Sequence, residues 1–436
     1  MISALPPGPR LPRHIQAWLW FRRPTRFLES CRRRYGDQFT IRLPRGLDMV
    51  QVSAPELVRA VLTGDGDALH AGEANRDLLE PLVGANSVLL LDGAAHLRQR
   101  KLMLPAVHGE RASAWTSAFA EVTAREVEGW PRDVPFPLRP AMQRITMEVI
   151  LELVFGVGDD GRRAELSRLL AAVSRMAGRP LRIALTQGLH LAGQSPWERF
   201  VAVRESLDSE LFRLIRERRV DPGLADRVDV FSELVRARDV DGEAMSDQEI
   251  RDELVTLLVA GHETTATALA WAFDLLLHDP ATLHRLEAEA AGDRREYLDA
   301  TIKETLRLRP PVVIVVRRVK VPFPLDGREV PAGAHLCPNI YLTQRRPDLY
   351  PEPDRFRPER FLEEAPEPYA WLPFGGGIRR CLGASFATAE MRVVIPEMLR
   401  RVRLRPASPR PERVRRETVL LVPDRGTRVV ASGRSA

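Results

Sequence analysis

The hydrophobic pattern of the chain is dominated by one long apolar stretch at residues 254–277. Upstream, Ser246 and Glu249 have the spacing of a capping box, in which each side chain bonds the backbone of the other residue. Downstream, Pro280 cannot continue a helix. The pattern therefore predicts a single long helix that begins near Ser246 and ends before Pro280.

This helix is apolar on all sides, and two environments suit such a helix. Its length is sufficient to cross a bilayer. However, the stretch contains His262, Glu263 and Asp274, and ionisable groups are costly within lipid. The three residues therefore favour the other environment, the centre of a large protein core.

Elsewhere the pattern predicts a helical middle flanked by short strands. Two strands are indicated at 39–43 and 49–52, around a Gly/Asp turn. Residues 55–310 are mainly helical in pattern, with loops near 64–93 and 178–196. Residues 312–373 are rich in Pro and Gly and predict strands and loops. A helix opens at Cys381, and short strands close the chain.

This arrangement is typical of a mainly α protein with a minor β part, an α+β fold. The small β regions lie near 38–52 and 312–340. Because no linker or repeat divides the chain, we expect residues 1–436 to form a single catalytic domain.

Composition narrows the class of protein. Of 436 residues, 44% are hydrophobic and 28% are charged, as in soluble globular proteins. The net charge is +6, but no basic block interleaved with aromatic residues indicates a nucleic-acid face. The cysteines, Cys31, Cys337 and Cys381, are widely spaced. This spacing disfavours a zinc site or a disulfide framework, and the low, odd count suits the reducing cytoplasm.

A short apolar segment lies near the start of the chain, at residues 15–21. It is far too short to span a bilayer, and no secretory signal peptide is visible. The segment has two plausible positions, against a membrane surface or packed on the protein's own surface, and we predict the second.

Cys381 has the most distinctive surroundings in the chain. It follows the run Phe374-Gly-Gly-Gly-Ile-Arg-Arg and precedes a predicted helix. Glycines allow a loop to fold tightly, and a helix N-terminus beside Arg379 and Arg380 favours a thiolate. Such a thiolate is a good axial ligand for haem iron. However, a lone cysteine before a helix is more often a small buried hydrophobe, and on the cysteine alone that interpretation is favoured.

The spacing of Phe374, Gly377, Arg379, Cys381 and Gly383 resembles the haem-binding signature of the cytochrome P-450 family at every defining position. The resemblance implies a triangular, helix-rich prism with haem b between the long central helix and the helix at Cys381. It also implies that Cys381 is the thiolate ligand of the iron and that the other four residues contact the haem.

The central helix carries a second motif, at residues 260–265. Gly261 weakens the helix, and a threonine hydroxyl can bond the preceding turn and bend the axis. Glu263 and Thr264 then either relay protons as an acid–alcohol pair or merely cap a kink. The segment resembles the family's oxygen-activating motif, which implies catalytic roles for Glu263 and Thr264 and haem contacts for Ala260 and Gly261.

Glu304 and Arg307 lie one helical turn apart, a spacing that is usually a weak surface ion pair. Here they resemble the Glu-x-x-Arg motif of the family, and Arg360 matches the third member of its buried network. The resemblance implies a structural role, in which the network locks the segment that leads to Cys381.

The two haem propionates are carboxylates that need cationic partners, and the family has such partners at positions that match basic residues of this sequence. The resemblance implies a clamp of charge-assisted bonds made by His96, Arg100, Arg317 and Arg379, with Arg318 as a competitor of Arg317.

By the same mapping, a mainly aliphatic set of side chains should line the substrate pocket. Its members are Thr256, Val259, Ala260, Val313, Val315 and Leu420. Residues 64–93 and 178–196 should form the lid over this pocket. Such a lining indicates an apolar substrate with few hydrogen-bonding groups.

The resemblance implies a monooxygenase, an oxidoreductase that inserts one oxygen atom of dioxygen into an apolar small molecule. A terpenoid or lipid-like molecule is favoured. The chain lacks a Gly-x-Gly-x-x-G fingerprint after a strand, so we expect electrons from a separate ferredoxin and a ferredoxin reductase that uses NAD(P)H. Residues 5–9 resemble the proline-rich segment that follows the anchor of microsomal members. Only a few residues precede it, so we expect no transmembrane anchor and a cytoplasmic, bacterial-type enzyme.

Three alternatives to the ferredoxin-dependent monooxygenase remain at this point. One is a peroxide-driven member of the family, although such members lack the acid–alcohol pair. Another is carbon–carbon coupling or epoxidation on the same scaffold. The third is a haem-thiolate protein that binds or senses a ligand without turnover.

Overall fold

The computed structural model describes residues 2–3, 5–64, 66–107, 112–157, 160–177, 195–292 and 294–433. Helices account for most of these residues. The α-helices are α1 (Arg13–Arg22), α2 (Pro24–Tyr35), α3 (Pro55–Thr63), α4 (Ala71–Val83), α5 (Gly93–Val107), α6 (Ala112–Glu128), α7 (Leu138–Val149), α8 (Asp160–Ala177), α9 (Pro196–Arg219), α10 (Val230–Arg236), α11 (Asp247–Leu277), α12 (Pro280–Ala290), α13 (Glu296–Leu308), α14 (Ile340–Thr343), α15 (Arg360–Glu363) and α16 (Ala384–Arg401). A π-helical turn, Ile150–Val154, extends α7, and 3-10 turns lie at Leu224–Asp226 and Gly377–Arg379.

The strands are short and form four small sheets. They are β1 (Ile2–Ser3), β2 (Gln38–Arg42), β3 (Asp48–Val52), β4 (Leu69–His70), β5 (Pro135–Pro137), β6 (Arg317–Val319), β7 (Phe323–Leu325), β8 (Arg328–Val330), β9 (His335–Pro338), β10 (Val402–Pro406), β11 (Val414–Glu417), β12 (Leu420–Pro423) and β13 (Arg428–Gly433). The sheet orders are β2-β3-β9-β6-β4, β1-β8-β7, β10-β13-β5 and β11-β12. The predicted class, mainly α with a minor β part, is confirmed.

The long helix α11, called the central helix below, lies in the core as predicted. Its capping box is complete: the Ser246 hydroxyl accepts the Glu249 N–H at 3.2 Å, and the Glu249 carboxylate accepts the Ser246 N–H at 2.7 Å. The helix continues for 31 residues and ends at Leu277, three residues before Pro280. Among the described residues, no helix is both long and apolar enough to cross a bilayer.

Two hydrophobic clusters meet along the central helix. Its first half, including Leu254 and Leu258, packs into a cluster with residues of α5, α8, α9 and α10. Its second half, including Leu269 and Phe273, packs into another with residues of α6, α7, α13 and α16. Residues 260–265 therefore occupy the junction between the two clusters of the core.

Several sequence-based expectations need correction. The segment 64–93 is not all loop, because it contains β4 and α4. Helix α4 has no side-chain cap and contains Pro81, so the usual helix signals are missing. The last helix begins at Ala384, three residues after Cys381, and is called the cysteine helix below. The predicted lid segment 178–196 lies almost wholly outside the described residues.

Candidate functional site

The loop before Cys381 has a shape that requires glycine. Gly377 has a φ of +64°, and a Cβ there would lie 2.1 Å from the Leu62 carbonyl oxygen. Any side chain at this position would therefore push the loop away from α3. Within the loop, the Cys381 N–H donates to the Phe374 carbonyl at 2.9 Å, which closes the turn under the cysteine.

The thiol of Cys381 is exposed, whereas Cys31 and Cys337 are buried. The dense protein around Cys381 nevertheless raises its pKa, against the opposing effects of a hydrogen bond from the Gly383 N–H and the charges of Arg380 and Arg100. Burial therefore outweighs the local positive charge. A thiolate at this position needs a stronger partner, and a coordinated metal ion deprotonates a thiol outright.

A group of basic residues lies close to Cys381. His96 and Arg100 are one turn apart on α5, and the charges of Arg379, Arg100 and Arg317 all act on His96. Burial, followed by these positive charges, lowers the pKa of His96 to about 4. The His96 side chain is only 1% exposed, and its Nδ1 has no hydrogen-bond partner among the described residues.

Arg379 and Arg317 approach this group from two other elements. Arg379 donates to the Val88 carbonyl at 3.1 Å and pairs with Asp92 at 2.6 Å. Arg317 is 3% exposed at the start of β6. Arg318 points outward and pairs with Glu73 at 3.4 Å. Burial thus favours Arg317 over Arg318 as the residue directed toward His96.

These residues fit a planar group that carries two carboxylates. Arg100, Arg317 and Arg379 gather around the buried His96, and Asp92 is the acidic group that acts on His96 there. Such a concentration of positive charge is stabilised by anions that accept hydrogen bonds from it. The orphan Nδ1 of His96 is the observation that marks the need for such an acceptor.

The central helix runs without interruption through Gly261. The Thr264 hydroxyl donates to the Ala260 carbonyl at 2.7 Å, as predicted for a threonine that bonds the preceding turn. A Cβ on Gly261 would meet the Ile150 side chain at 3.6 Å, an ordinary contact. Ala260 is exposed and Thr264 is partly exposed, so this face of the helix is accessible.

Glu263 has partners that the sequence did not reveal. Arg139 donates to its Oε2 at 2.9 Å, and the Gln143 amide donates to Oε1 at 2.8 Å and to Oε2 at 3.0 Å. Arg139 also pairs with Glu417 at 2.8 Å. Glu263 is therefore held toward α7, while Thr264 bonds its own helix.

The neighbouring His262 strengthens the same helix contact. Its Nδ1 lies 2.7 Å from the Thr146 hydroxyl. Burial lowers the pKa of His262, with Arg139 adding to this effect and Glu263 opposing it. Residues 139, 143 and 146 share one face of α7, so a single face of that helix holds His262 and Glu263 together.

Glu304, Arg307 and Arg360 form a buried network. Glu304 and Arg307 are 0% exposed and Arg360 is 8% exposed. Arg307 donates to both carboxylate oxygens of Glu304, at 2.6 and 2.9 Å, and Arg360 donates to Glu304 at 3.1 Å. Because these side chains are removed from water and mutually satisfied, they differ from a surface ion pair.

The network holds the chain that leads to the cysteine loop. Arg307 donates to the carbonyls of Gln344 and Pro353, each at 2.8 Å, and of Arg355 at 3.3 Å. The Gln344 side chain, which sequence reasoning missed, donates to the Leu306 carbonyl at 3.0 Å and accepts the Leu372 N–H at 2.7 Å.

Comparison with known proteins agrees with this geometry. The sequence profile of the cytochrome P450 family matches residues 6–430. The chain belongs to the cytochrome P450 family. It is 43% identical to a putative cytochrome P450 135B1 of Mycobacterium tuberculosis (strain ATCC 25618 / H37Rv), over 98% of this chain and 91% of that protein. It is 38% identical to a putative cytochrome P450 137 of the same strain, over 91% of this chain and 83% of that protein.

Solved structures share the fold of this cytochrome P450. A retinoic acid-bound cyanobacterial CYP120A1 superposes with a TM-score of 0.84 at 23% identity, covering 99% of this chain and 100% of that one. A cytochrome P450DA heme domain gives a TM-score of 0.83 at 21% identity, covering 100% and 99%. At these identities the likeness concerns the fold alone.

As a cytochrome P450, the protein is an oxidoreductase of the EC 1.14 class and belongs to the haem-thiolate monooxygenase family. The cofactor of the family is haem held by a cysteine thiolate.

The predicted pocket residues of this cytochrome P450 occupy different environments. Ala260 is exposed and Val259 is half-buried. The Thr256 hydroxyl donates to the Asp252 carbonyl at 2.7 Å, and its oxygen lies 2.7 Å from the Ser87 hydroxyl. Val315 is half-buried and Leu420 is 9% exposed. Val313 is 0% exposed and packs in the N-terminal core with Trp20 and Leu421.

Proposed function

We propose that this cytochrome P450 inserts one oxygen atom of dioxygen into an apolar small molecule, with a terpenoid or lipid-like substrate favoured. The proposal is carried by the chemistry of the side chains that we expect to line the pocket near residues 256–260. Val259 and Ala260 are aliphatic, and the Thr256 hydroxyl is already engaged with Ser87 and the Asp252 carbonyl. A pocket with so few available polar groups selects substrates by apolar contact.

Each candidate residue has a role in this proposal. Cys381 holds the iron, with Phe374, Gly377 and Gly383 shaping the loop beneath the haem and Ala260 and Gly261 facing it. His96, Arg100, Arg317 and Arg379 bond the propionates. When bound, haem supplies the centre at which dioxygen is activated. We propose that residues 1–436 form one catalytic domain, which works in the cytoplasm.

Proton delivery is assigned to Glu263 and Thr264. The Thr264 hydroxyl lies on the accessible face of the central helix, where it can exchange protons with water. The Glu263 carboxylate is 22% exposed and held by Arg139, so its proton transfer to Thr264 requires an intervening water or a change of rotamer. The presence of both residues disfavours a peroxide-driven enzyme.

In this proposal, a ferredoxin and an NAD(P)H-dependent ferredoxin reductase supply the electrons. Arg380 is exposed and its charge acts on Cys381, and Lys101 is exposed next to Arg100, whose charge also acts on Cys381. Positive charge there would attract an acidic partner. Charge reversal by Arg380→Glu and Lys101→Glu should slow reduction and weaken its dependence on salt. The matched control is Arg168→Glu on α8. Unchanged reduction rates in the first two variants would refute the docking face.

The substrate class is tested by a spectral titration. Purified holoprotein is titrated with terpenoids, fatty acids, steroid-like molecules and a set of sugars, and the shift of the haem absorption band on binding is recorded. Terpenoids or lipids should give saturable shifts, and sugars should give none. Shifts only with polar compounds would overturn the apolar-pocket assignment.

A ligand that shifts the band is then incubated with ferredoxin, reductase and NAD(P)H. Absence of an oxygenated product would favour a binding protein.

A further inference from the structure

Helix α1 presents a row of large apolar side chains to solvent. Ile15 is 37% exposed, Trp18 is 53% exposed and Phe21 is 49% exposed. Leu11, which precedes the helix, is 44% exposed and extends the row. Spacings of three and four residues place these side chains on one side of a helix. The expectation that residues 15–21 pack on the protein's own surface is therefore wrong for this side of the helix.

The opposite side of α1 is anchored, so the row cannot turn inward. Gln16 is 1% exposed, and its amide donates to the carbonyls of Pro9 at 3.1 Å and Leu11 at 2.7 Å. Trp20 is 2% exposed and lies under the Arg416 guanidinium at 4.1 Å. These contacts commit one side of α1 to the core and leave the aromatic row outside.

The charged side chains of the segment that carries the row are all basic. Residues 5–28 contain no aspartate or glutamate. Their five arginines are Arg10, Arg13, Arg22, Arg23 and Arg26. Of these, Arg13 pairs with Asp48 at 2.8 Å. The other four are exposed, and Arg23 lies 6.0 Å from the ring of Trp18. Aromatic residues flanked by arginines are typical of helices that lie in a membrane interface.

We propose that α1 docks this protein on an anionic lipid bilayer. The helix lies parallel to the membrane surface, with Ile15, Trp18 and Phe21 in the headgroup region. The exposed arginines contact lipid phosphates. Charge complementarity favours lipid over a second protein copy, because two copies of this face would bring like charges together.

The proposal is tested by co-sedimentation of the holoprotein with vesicles. Phosphatidylglycerol vesicles should bind the protein, phosphatidylcholine vesicles should bind it more weakly, and added salt should release it. Trp18→Ser/Phe21→Ser should weaken binding to phosphatidylglycerol by at least about ten-fold, because two apolar side chains are lost. Trp18→Phe should retain most of the binding, since the apolar character is kept.

Further variants separate lipid docking from a general surface effect. Replacing Arg22, Arg23 and Arg26 with glutamine should weaken binding by about five-fold per arginine. The matched control, Val220→Ser/Val240→Ser, changes valines that are 79% and 89% exposed between α9 and the central helix, and should bind as the unaltered protein does. All variants should keep their unfolding midpoints, since these side chains lie outside the core.

Three results would overturn the proposal. One is the absence of binding to phosphatidylglycerol vesicles at low salt. Another is vesicle binding that the Trp18→Ser/Phe21→Ser variant leaves unchanged. The third is a concentration-dependent dimer, without lipid, that this variant abolishes, because it would assign the row to contact between two copies.

Discussion

Arg307→Ala should destabilise the protein strongly, because it breaks a buried ion pair from one side. Arg307 is 0% exposed and donates one hydrogen bond to each carboxylate oxygen of Glu304. After its removal, the carboxylate keeps only the Arg357 N–H at 2.9 Å and the Arg360 Nε–H at 3.1 Å. Three backbone carbonyls also lose a donor.

The expected loss of unfolding free energy is about 3–5 kcal/mol, the usual cost of removing one member of a buried pair. The unfolding entropy of a 436-residue chain is about 0.9 kcal/mol/K. The loss therefore corresponds to a fall of about 3–5 °C in the unfolding midpoint. The bonds to Gln344 and Pro353 hold the segment before Cys381, so haem release should accompany or precede unfolding.

Thermal unfolding of the holoprotein, followed by circular dichroism and by haem absorbance, measures both effects. The unfolding midpoint of Arg307→Lys should lie between those of the unaltered protein and of Arg307→Ala, because one ammonium group cannot replace the planar guanidinium. Arg168→Ala is the control, because Arg168 pairs with Glu165 on the surface, and its midpoint should not move. A change below about 1 kcal/mol in Arg307→Ala would refute the role assigned to burial.

Four other changes test the remaining assignments. Cys381→Ser should abolish the carbon-monoxide difference spectrum of a thiolate-bound haem; a retained spectrum would refute the ligand assignment. Thr264→Ala should lower the product formed per electron consumed, and unchanged coupling would refute the proton role. Arg139→Gln should alter the same ratio through Glu263 while substrate affinity stays constant; a lower unfolding midpoint alone would indicate a purely structural role. Burial raises the pKa of Glu390 to about 8. The folded protein therefore holds a proton that the unfolded chain releases, and stability should fall by up to about 1.4 kcal/mol per pH unit between roughly pH 5 and 8. Glu390→Gln should reduce that slope in unfolding curves measured across this range, and an unchanged slope would contradict the burial argument.

Features that depend on neighbouring residues were predicted well. The Ser246 capping box and the stop before Pro280 involve contacts within one helical turn, so their sequence spacing is sufficient. The tight turn at Gly377 also follows from local backbone geometry. Helix α4 escaped prediction because Pro81 and the missing cap removed the local signals on which such predictions depend.

The direction of individual side chains was harder to predict from the sequence. Val313 and Val315 are two residues apart, yet Val313 is fully buried in the N-terminal core and Val315 is half-buried. Likewise, apolar periodicity in residues 15–21 cannot tell which side of α1 meets the core, because both sides carry large apolar residues. The buried bonds of Gln16 decided the orientation of that helix.

The sequence by itself determined the family, the haem cofactor and the identity of the candidate cysteine, since a short motif of specified residues carries that chemistry. Only the tertiary structure decided that Glu263 is bound by Arg139, 124 residues away, and that Arg317 rather than Arg318 is buried. The physical reason is that ion pairs and burial depend on how distant helices pack. A motif defines which groups are present, and packing defines which of them meet.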